Sequence, residues 1–379
     1  MAAFIIKHYY LLFIMKYYII LTLSSFLFSC TNMRIDNNKI YANINKIETP
    51  SMYDLFSKIE IIPLETTKES LIKEISKLVF YDNKYYILDY PLSKIFVFDE
   101  MGKFLFNIDN RGNGPNEYVH IGSFNIDPYN HQLIILSAVD RSLHFYDLDG
   151  HFKNKIKLPE IERAYKTIQS LNKDTIVFWT FDLSNRMKYY SLSENKIIHE
   201  DFPEEKKDIF CTDEFPINGY LCRALTDKVY TLKKGKTQIA YTWDFGEENN
   251  LSKVIYPQTQ ERESFLKYGD DVYSSRIVNH LIGRHGQNNR YLYAQVIIKR
   301  RYINVFYNKL DKTTLLFEKT KENATINPVE WTDEYIISIT GDIKKEEILP
   351  SNLLNKELSD KLKQLQEDDN PILIKHTFL

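Results

Sequence analysis

The chain has few cysteines and almost no net charge, and each shortage excludes a class of function. Only three of its 379 residues are cysteines. Cys30, Cys211 and Cys222 form neither a CxxC pair nor a cluster with histidine, so no zinc site is indicated. Lys and Arg total 49 against 51 Asp and Glu, a formal net charge of −2. Because this balance creates no basic field for a polyanion, we expect no nucleic-acid partner.

The sequence also lacks the compact motifs that carry specific chemistry. No nucleophile elbow, P-loop, HExxH or EF-hand pattern is present in it. The nine histidines are scattered. His144 and His151 lie on the two sides of one predicted turn, and we expect both at the surface. These absences favour a protein without a cofactor and without a compact catalytic site.

Aromatic residues, in contrast, are abundant. Tyr (27) and Phe (23) help to bring aromatics to 14%, which favours pleated, half-buried strands. Ile95–Phe104 and Leu143–Phe152 repeat each other, with Gly102 aligned on Gly150, a shift of 48 residues. Each segment reads as an aromatic strand, a tight Asp-to-Gly turn and a returning strand. A repeat of this size predicts an all-β β-propeller, and one outer hairpin per blade gives about five or six blades. A two-sheet all-β fold is the alternative, which the repeat disfavours.

Further strands and two helices complete the predicted order. The other strand segments are Ile59–Leu64, Leu78–Phe80, Tyr85–Leu88, Thr175–Trp179, Met187–Leu192, Lys228–Leu232, Thr237–Trp243, Tyr291–Ile298, Tyr302–Tyr307, Glu334–Ile339 and Pro371–Phe378. A helical insertion is expected around Gln258–Tyr268. A short C-terminal helix is indicated by leucines on one face: Leu354, Leu358, Leu362 and Leu365. The last strand would then pair into the first blade and close the ring.

The N-terminus reads as an export signal. Lys16 precedes an apolar run that ends at Ser29-Cys30, and such a signal consists of a basic start, an apolar core and a small residue before the cleavage point. Leu27-Phe-Ser-Cys30 looks like a lipobox, in which the cysteine is acylated and becomes the mature N-terminus. An uncleaved transmembrane anchor over residues 4–28 is the alternative.

These patterns divide the chain into three parts. We expect a signal peptide over residues 1–29, with Met15 as the true start. Residues 30–55 are polar and rich in asparagine, which is typical of a flexible tether behind a lipid anchor. Residues 56–379 would form the propeller. Cys211 and Cys222 lie in a part of the chain where either a disulfide or two free thiols would fit.

One loop carries a family resemblance. Arg111-Gly-Asn-Gly-Pro-Asn-Glu-Tyr118 joins the first repeated hairpin to the next blade. It resembles the G-x-G-P-x-E-Y element of the bacterial six-bladed β-propeller lipoprotein family, which is related in shape to the NHL-repeat propellers. Trp243-Asp-Phe-Gly246 and the closing segment Asp369-Asn-Pro-Ile-Leu-Ile374 are similar too, so the resemblance covers residues 55–379. It implies a six-bladed β-propeller located in the cell envelope. It implies no particular reaction, because the family has no assigned chemistry.

The same loop is the predicted binding site. Its glycines would permit backbone angles closed to other residues. In a structural interpretation, Glu117 accepts hydrogen bonds from the loop amides while Tyr118 packs beneath them. In a functional one, the loop faces a ligand at the mouth of the central channel, since rigid scaffolds hold binding loops in place. The ligand-binding residues would be Arg111, Asn113, Glu117 and Tyr118.

The sequence therefore predicts a non-catalytic binding or scaffold propeller. We expect a monomer, anchored through Cys30 to a membrane of the cell envelope, facing the periplasm or the outer-membrane surface. Its partner would be an envelope protein, a peptide or a glycan. The alternative is a metal-dependent propeller hydrolase or lyase with its site on the central axis, for which Asp89, Asp140 and Glu117 are candidate ligands.

Overall fold

Six four-stranded sheets form a six-bladed β-propeller. The computed structural model describes residues 38–182, 184–203, 220–222, 226–233, 236–250, 262–275, 277–278, 285–339, 353, 356–366 and 368–379. Residues Ile40–Leu379 form one compact unit, and Met1–Lys39 belong to a separate one. The predicted fold class is confirmed.

The strands follow one another in hairpins along the chain. They are β1 (Lys39–Tyr41), β2 (Phe56–Pro63), β3 (Lys77–Tyr81), β4 (Lys84–Asp89), β5 (Lys94–Asp99), β6 (Phe104–Ile108), β7 (Ser123–Asp127), β8 (Gln132–Ser137), β9 (Ser142–Tyr146), β10 (Phe152–Lys157), β11 (Tyr165–Ser170), β12 (Thr175–Thr180), β13 (Asn185–Ser191), β14 (Lys196–Pro203), β15 (Tyr220–Cys222), β16 (Lys228–Lys233), β17 (Lys236–Asp244), β18 (His285–Gln287), β19 (Tyr291–Ile298), β20 (Arg301–Asn308), β21 (Thr314–Phe317), β22 (Pro328–Trp331), β23 (Tyr335–Ile339) and β24 (Ile372–Phe378). The described α-helices are α1 (Arg262–Ser274) and α2 (Lys356–Lys363), and Met52–Asp54 forms a 3₁₀ turn.

The blades differ in how they are completed. Blade 1 contains β3–β6, blade 2 contains β7–β10, blade 3 contains β11–β14 and blade 5 contains β18–β21. Blade 4 consists of β15–β17 with β1 at its outer edge, and blade 6 consists of β22–β24 with β2 at its outer edge. The first strands of neighbouring blades contact each other, β18 with β22, β22 with β3, β3 with β7 and β7 with β11. These strands therefore line the central axis.

The repeated hairpins have the predicted turns. Asp99 accepts hydrogen bonds from the amides of Met101 and Lys103, both at 2.9 Å. Asp147 does the same at the equivalent place in blade 2. Gly102 and Gly150 follow with φ of 85° and 88°, a left-handed conformation that favours glycine. A Cβ at Gly102 would also lie 2.2 Å from the Pro63 carbonyl oxygen, so no other residue fits there.

The ring closes as predicted, because the C-terminal strand β24 pairs with β2, which contains most of the first predicted strand, Ile59–Leu64. β24 lies between β2 and β23, and Ile374 is opposite Ile61 on β2. Leu358 of α2 is buried in the hydrophobic cluster of blades 5 and 6, with Leu362 and Leu365 packed against it. Leu354 lies outside the described residues, as do residues 258–261 of the predicted helical insertion, and α1 contains the remaining predicted residues 262–268.

The N-terminal segment 38–55, here called the strap, runs along three blades. β1 completes blade 4, the Glu48 amide donates to the Leu316 carbonyl in blade 5 at 2.7 Å, and the Met52 amide donates to the Glu322 carboxylate at 2.9 Å. Buried strap residues are Ile40, Ala42, Ile44, Met52 and Leu55. The start of the folded unit therefore moves from the expected residue 56 to Ile40, because apolar side chains of the expected tether are buried against the ring.

Candidate functional site

The Arg111–Tyr118 loop lies at one end of the blades. It connects β6, the outer strand of blade 1, to β7, the inner strand of blade 2. Because the strands of each blade are antiparallel, this end also carries the turns 90–93 and 138–141, which join the second and third strands of blades 1 and 2. We call it the upper face. The loop therefore crosses this face from the outer strand of blade 1 to the inner strand of blade 2, and its place at the mouth of the central channel stays a prediction.

A carboxylate fills the inside of the loop. The Gly112 amide donates to the Tyr118 carbonyl at 3.0 Å, and the Gly114 amide donates to Glu117 Oε2 at 2.7 Å. A Cβ at Gly112 would lie 1.9 Å from that same oxygen. Neither glycine has a positive φ. The expectation that they provide unusual backbone angles is therefore wrong, and a side chain at either position would instead have to displace the Glu117 carboxylate.

Tyr118 supports the loop from below. Its side chain is fully buried. Its hydroxyl accepts from the Asn110 amide at 3.1 Å and lies 3.1 Å from the Ile108 carbonyl and 3.2 Å from the Ser93 carbonyl. Burial raises the pKa of the phenol, so it stays protonated and can donate to one of these carbonyls. Tyr118 therefore lies beneath the loop, as the structural interpretation expected, rather than on its surface.

The other three predicted residues are exposed on the upper face. Arg111, Asn113 and Glu117 all face solvent. No carboxylate of the described residues forms a salt bridge with Arg111, whereas the nearby Asp109 is paired with Lys94 at 2.6 Å. The guanidinium is therefore available for an anionic group of a partner.

An aromatic pair, which the sequence patterns did not single out, lies next to Arg111. The rings of Tyr90 and His120 are 4.4 Å apart and nearly perpendicular, and Tyr90 is 49% exposed. Burial, together with the charge of Arg111, lowers the pKa of His120. The imidazole is therefore neutral at pH 7, so it can lie against Tyr90 without being repelled by the Arg111 guanidinium. We call Arg111, Asn113, Glu117, Tyr90 and His120 the upper-face site.

A partly exposed lysine fixes the far end of the loop. Lys155 Nζ donates to the Glu117 carbonyl at 3.1 Å and is paired with Asp140 at 3.3 Å. Asp140 also accepts hydrogen bonds from Ser142, at 2.6 Å, and from Ser137. Burial opposes ionisation of Asp140, but these hydrogen bonds hold its pKa below the usual value. The loop is therefore tied to a charged network of blade 2.

His144 belongs to the same network, and its predicted surface position is wrong. It lies in β9, all of whose side chains are buried, whereas His151 follows the turn and is exposed as predicted. Burial, together with the charge of Lys155, lowers the pKa of His144 to about 4. Its Nε2 lies 2.8 Å from Ser142 Oγ, which donates its proton to Asp140. In a catalytic triad the carboxylate holds the histidine and leaves the serine free, so this order does not activate Ser142.

The three candidate metal ligands are not brought together. Asp89 is fully buried and accepts hydrogen bonds from the amides of Lys73, Glu74 and Leu92 at 2.6, 3.1 and 2.9 Å. Asp140 and Glu117 are engaged as described above. Among the described residues no group of three or more His, Cys, Asp or Glu is arranged to hold a metal ion.

Several predictions concern residues outside the described ranges. Cys30, the apolar run before it and Cys211 all lie there, so the lipid anchor, the transmembrane alternative and the disulfide stay predictions. Within the described ranges, no helix combines the length and apolar composition that crossing a bilayer requires.

Comparison with known proteins agrees with this architecture. A crystal structure of a Bacteroides fragilis protein described as exported is similar, with a TM-score of 0.70 and 16% identity over 89% of this chain and 98% of that one. A DUF4221 family member from Bacteroides vulgatus gives a TM-score of 0.52 and 12% identity over 86% of this chain and 97% of that one. No curated protein matches. A family model, the domain of unknown function DUF4934, matches residues 34–377. The chain therefore belongs to the DUF4934 family.

Proposed function

We propose that this protein is a lipid-anchored envelope lipoprotein whose propeller binds a peptide, glycan or protein partner without catalysing a reaction. The observation that carries the proposal is the upper-face site, in which an unpaired, exposed Arg111 lies on a loop held from below by buried Tyr118. We further propose that Arg111, Asn113 and Glu117 contact the partner directly, while Tyr118 only positions them.

The rigidity of the loop favours binding. Its amides, the Glu117 carboxylate and Lys155 are already engaged with each other. A partner would therefore meet a preformed surface and would not have to order it, which lowers the entropic cost of association. Arg111 provides charge, Asn113 provides both a donor and an acceptor, and the half-exposed ring of Tyr90, held edge-on by His120, provides an aromatic surface. This mixture is typical of sites that recognise peptides or sugars.

A direct binding test uses envelope peptide and glycan arrays. Wild type and Arg111→Ala are compared, with Arg141→Ala as the matched control, since Arg141 is partly exposed on the same face but already paired with Glu160 at 2.7 Å. We expect Arg111→Ala to lose the bound ligand and Arg141→Ala to keep it. Unchanged binding by both variants would return the loop to a purely structural role, and a stoichiometric divalent metal in the purified protein would favour an enzyme instead.

The proposed location rests on the N-terminal sequence. The lipobox-like Leu27-Phe-Ser-Cys30 and the similarity to a protein described as exported both favour an acylated, NHL-like envelope propeller. Replacing the acceptor by Cys30→Ser should abolish labelling with a radioactive fatty acid and release the protein from membranes. A variant that stayed membrane-embedded would show that residues 4–28 act as an uncleaved anchor.

A further inference from the structure

A second concave surface lies between blades 3 and 4, on other blades than the upper-face site. Its volume is about 400 Å³, within the range of roughly 300–1,000 Å³ that is typical of small-molecule sites. The turn between β11 and β12, strands β13 and β14 and the first residue of β17 all contribute to its lining. We call it the blade 3–4 groove.

One wall of the groove is aromatic. Tyr189 and His199 are directly opposite each other on β13 and β14, with ring centroids 5.0 Å apart. Tyr189 is only 2% exposed, whereas His199 and the neighbouring Ile198 are exposed. Burial thus fixes one ring and leaves the other accessible. The rings are tilted by 43°, and the exposed His199 imidazole, supported by Tyr189 beneath it, is the surface against which a ring-shaped ligand can pack.

The polar groups of the groove have unused donors. Asn172 Oδ1 accepts from the amides of Asp174 and Thr175, both at 2.8 Å. These bonds orient the side-chain amide, whose nitrogen donates to no described residue. A neutral ligand hydroxyl could accept these hydrogen bonds.

The groove also contains a cation without a counter-charge. Lys236 is exposed, and no carboxylate of the described ranges lies within ion-pair distance of its ammonium group. By contrast, two lysines of the adjacent strands are paired, Lys188 with Glu200 at 2.8 Å and Lys196 with Glu194 at 2.7 Å. An anionic group of a ligand would therefore find its complement at Lys236.

We propose that the blade 3–4 groove binds a monosaccharide acid of the uronic acid class. The sugar ring packs against the exposed His199 and Ile198, the carboxylate pairs with Lys236 and the hydroxyls accept from Asn172. A neutral sugar would leave Lys236 unpaired, and an aromatic acid would leave the Asn172 donors unused. This site is independent of the upper-face site and of its partner.

The proposal is tested by NMR titration of the mature chain with glucuronate, glucose and benzoate. We expect saturable shifts with glucuronate only, and Lys236→Met should weaken that binding about tenfold or more, as loss of a charged hydrogen bond predicts. Lys196→Met is the matched control, because this lysine lies on β14 and already has a partner.

Melting temperatures establish that each variant is folded, and Lys236→Gln replaces Lys236→Met if the latter does not fold. Equal affinity of wild type and the Lys236 variant for glucuronate overturns the proposal. It is also overturned if glucose or benzoate binds as tightly as glucuronate, or if glucuronate gives no saturable shift at high millimolar concentration.

Discussion

Blades 2 and 6 have the same four-stranded architecture but are assembled in opposite ways. Blade 2 uses four consecutive strands, β7–β10, so each strand pairs with a sequence neighbour. Blade 6 joins the two ends of the chain, and Ser57 Oγ donates to the Phe378 carbonyl across a separation of 321 positions. The first is specified by local turns, whereas the second must overcome the entropy of closing a very long loop. The stability of the ring therefore depends on the contacts made by its N-terminal strands.

The largest effect is expected from deleting the strap, residues 38–55. The deletion exposes apolar side chains on three blades and removes the outer strand of blade 4. We expect the free energy of unfolding, measured by chemical denaturation, to fall by about 5 kcal/mol or more, since each buried aliphatic side chain lost costs roughly 2–5 kcal/mol. Unchanged stability would restore residue 56 as the start of the folded domain.

Single phenylalanine truncations compare the two blades directly. Phe56 in β2 is fully buried, with its ring 5.4 Å from Phe378, and Phe145 in β9 is 3% exposed. Each replacement by alanine should cost about 3–5 kcal/mol. Because long-range contacts form late in folding, Phe56→Ala should mainly accelerate unfolding, and Phe145→Ala should also slow refolding. Late closure of the ring would be contradicted if stopped-flow kinetics showed that both replacements divide their effect between the folding and unfolding rates in the same proportion.

A smaller effect is expected in the upper-face loop. Gly112→Ala should push the Glu117 carboxylate away from the Gly114 amide and cost about 1 kcal/mol, the net contribution of one hydrogen bond. Glu117→Ala removes the obstacle, so Gly112→Ala should be almost neutral in that background. A double-mutant cycle by thermal denaturation measures this coupling. Additive effects would show that the carboxylate does not fill the loop.

The junction of blades 6 and 1 should respond to pH. Glu330 on β22 accepts from the Phe80 amide of β3 at 3.2 Å, and burial raises its pKa to about 7 from 4.5. The fold disfavours the charged form, so the contribution of Glu330 to stability declines as pH rises from about 4.5 to about 7.

Glu330→Gln should remove this decline. The difference in denaturation midpoint between Glu330→Gln and wild type should be constant below pH 4.5 and should then grow in favour of the variant up to about pH 7. His376, whose pKa burial lowers to about 3, changes both proteins equally and cancels in the comparison. Parallel pH profiles of the two proteins would contradict a buried, titrating Glu330.

The comparison of blades also shows how far the sequence predicts the structure. The Asp-to-Gly turns at Gly102 and Gly150 have local causes, so the repeat predicted their hairpins and the fold. The strap was missed because the alternation of Ile40, Ala42 and Ile44 is short, stands in a segment rich in asparagine and buries these side chains only against distant blades. Sequence spacing cannot specify such contacts.

The sequence likewise predicted only part of the candidate site. The loop and its exposed Arg111 followed from one contiguous motif. Tyr90 and His120 lie on separate segments and meet only through the pairing of β4 with β5 and the path of the loop. The apolar neighbours Leu143, Phe145 and Tyr146 could have indicated that all of β9 is buried, His144 included, but the closeness of His144 to the turn suggested exposure. Groups gathered from several blades leave no local signal.

Photo-crosslinking in the native host tests the central claim most directly. A photoreactive residue at Asn113 is compared with one at Tyr129, which is 44% exposed in the turn between β7 and β8 at the opposite end of the blades. The binding account predicts a defined product from position 113 that Arg111→Ala abolishes without lowering the melting temperature, and no such product from position 129. The same products from both positions, no product from position 113, or a product insensitive to Arg111→Ala would contradict it.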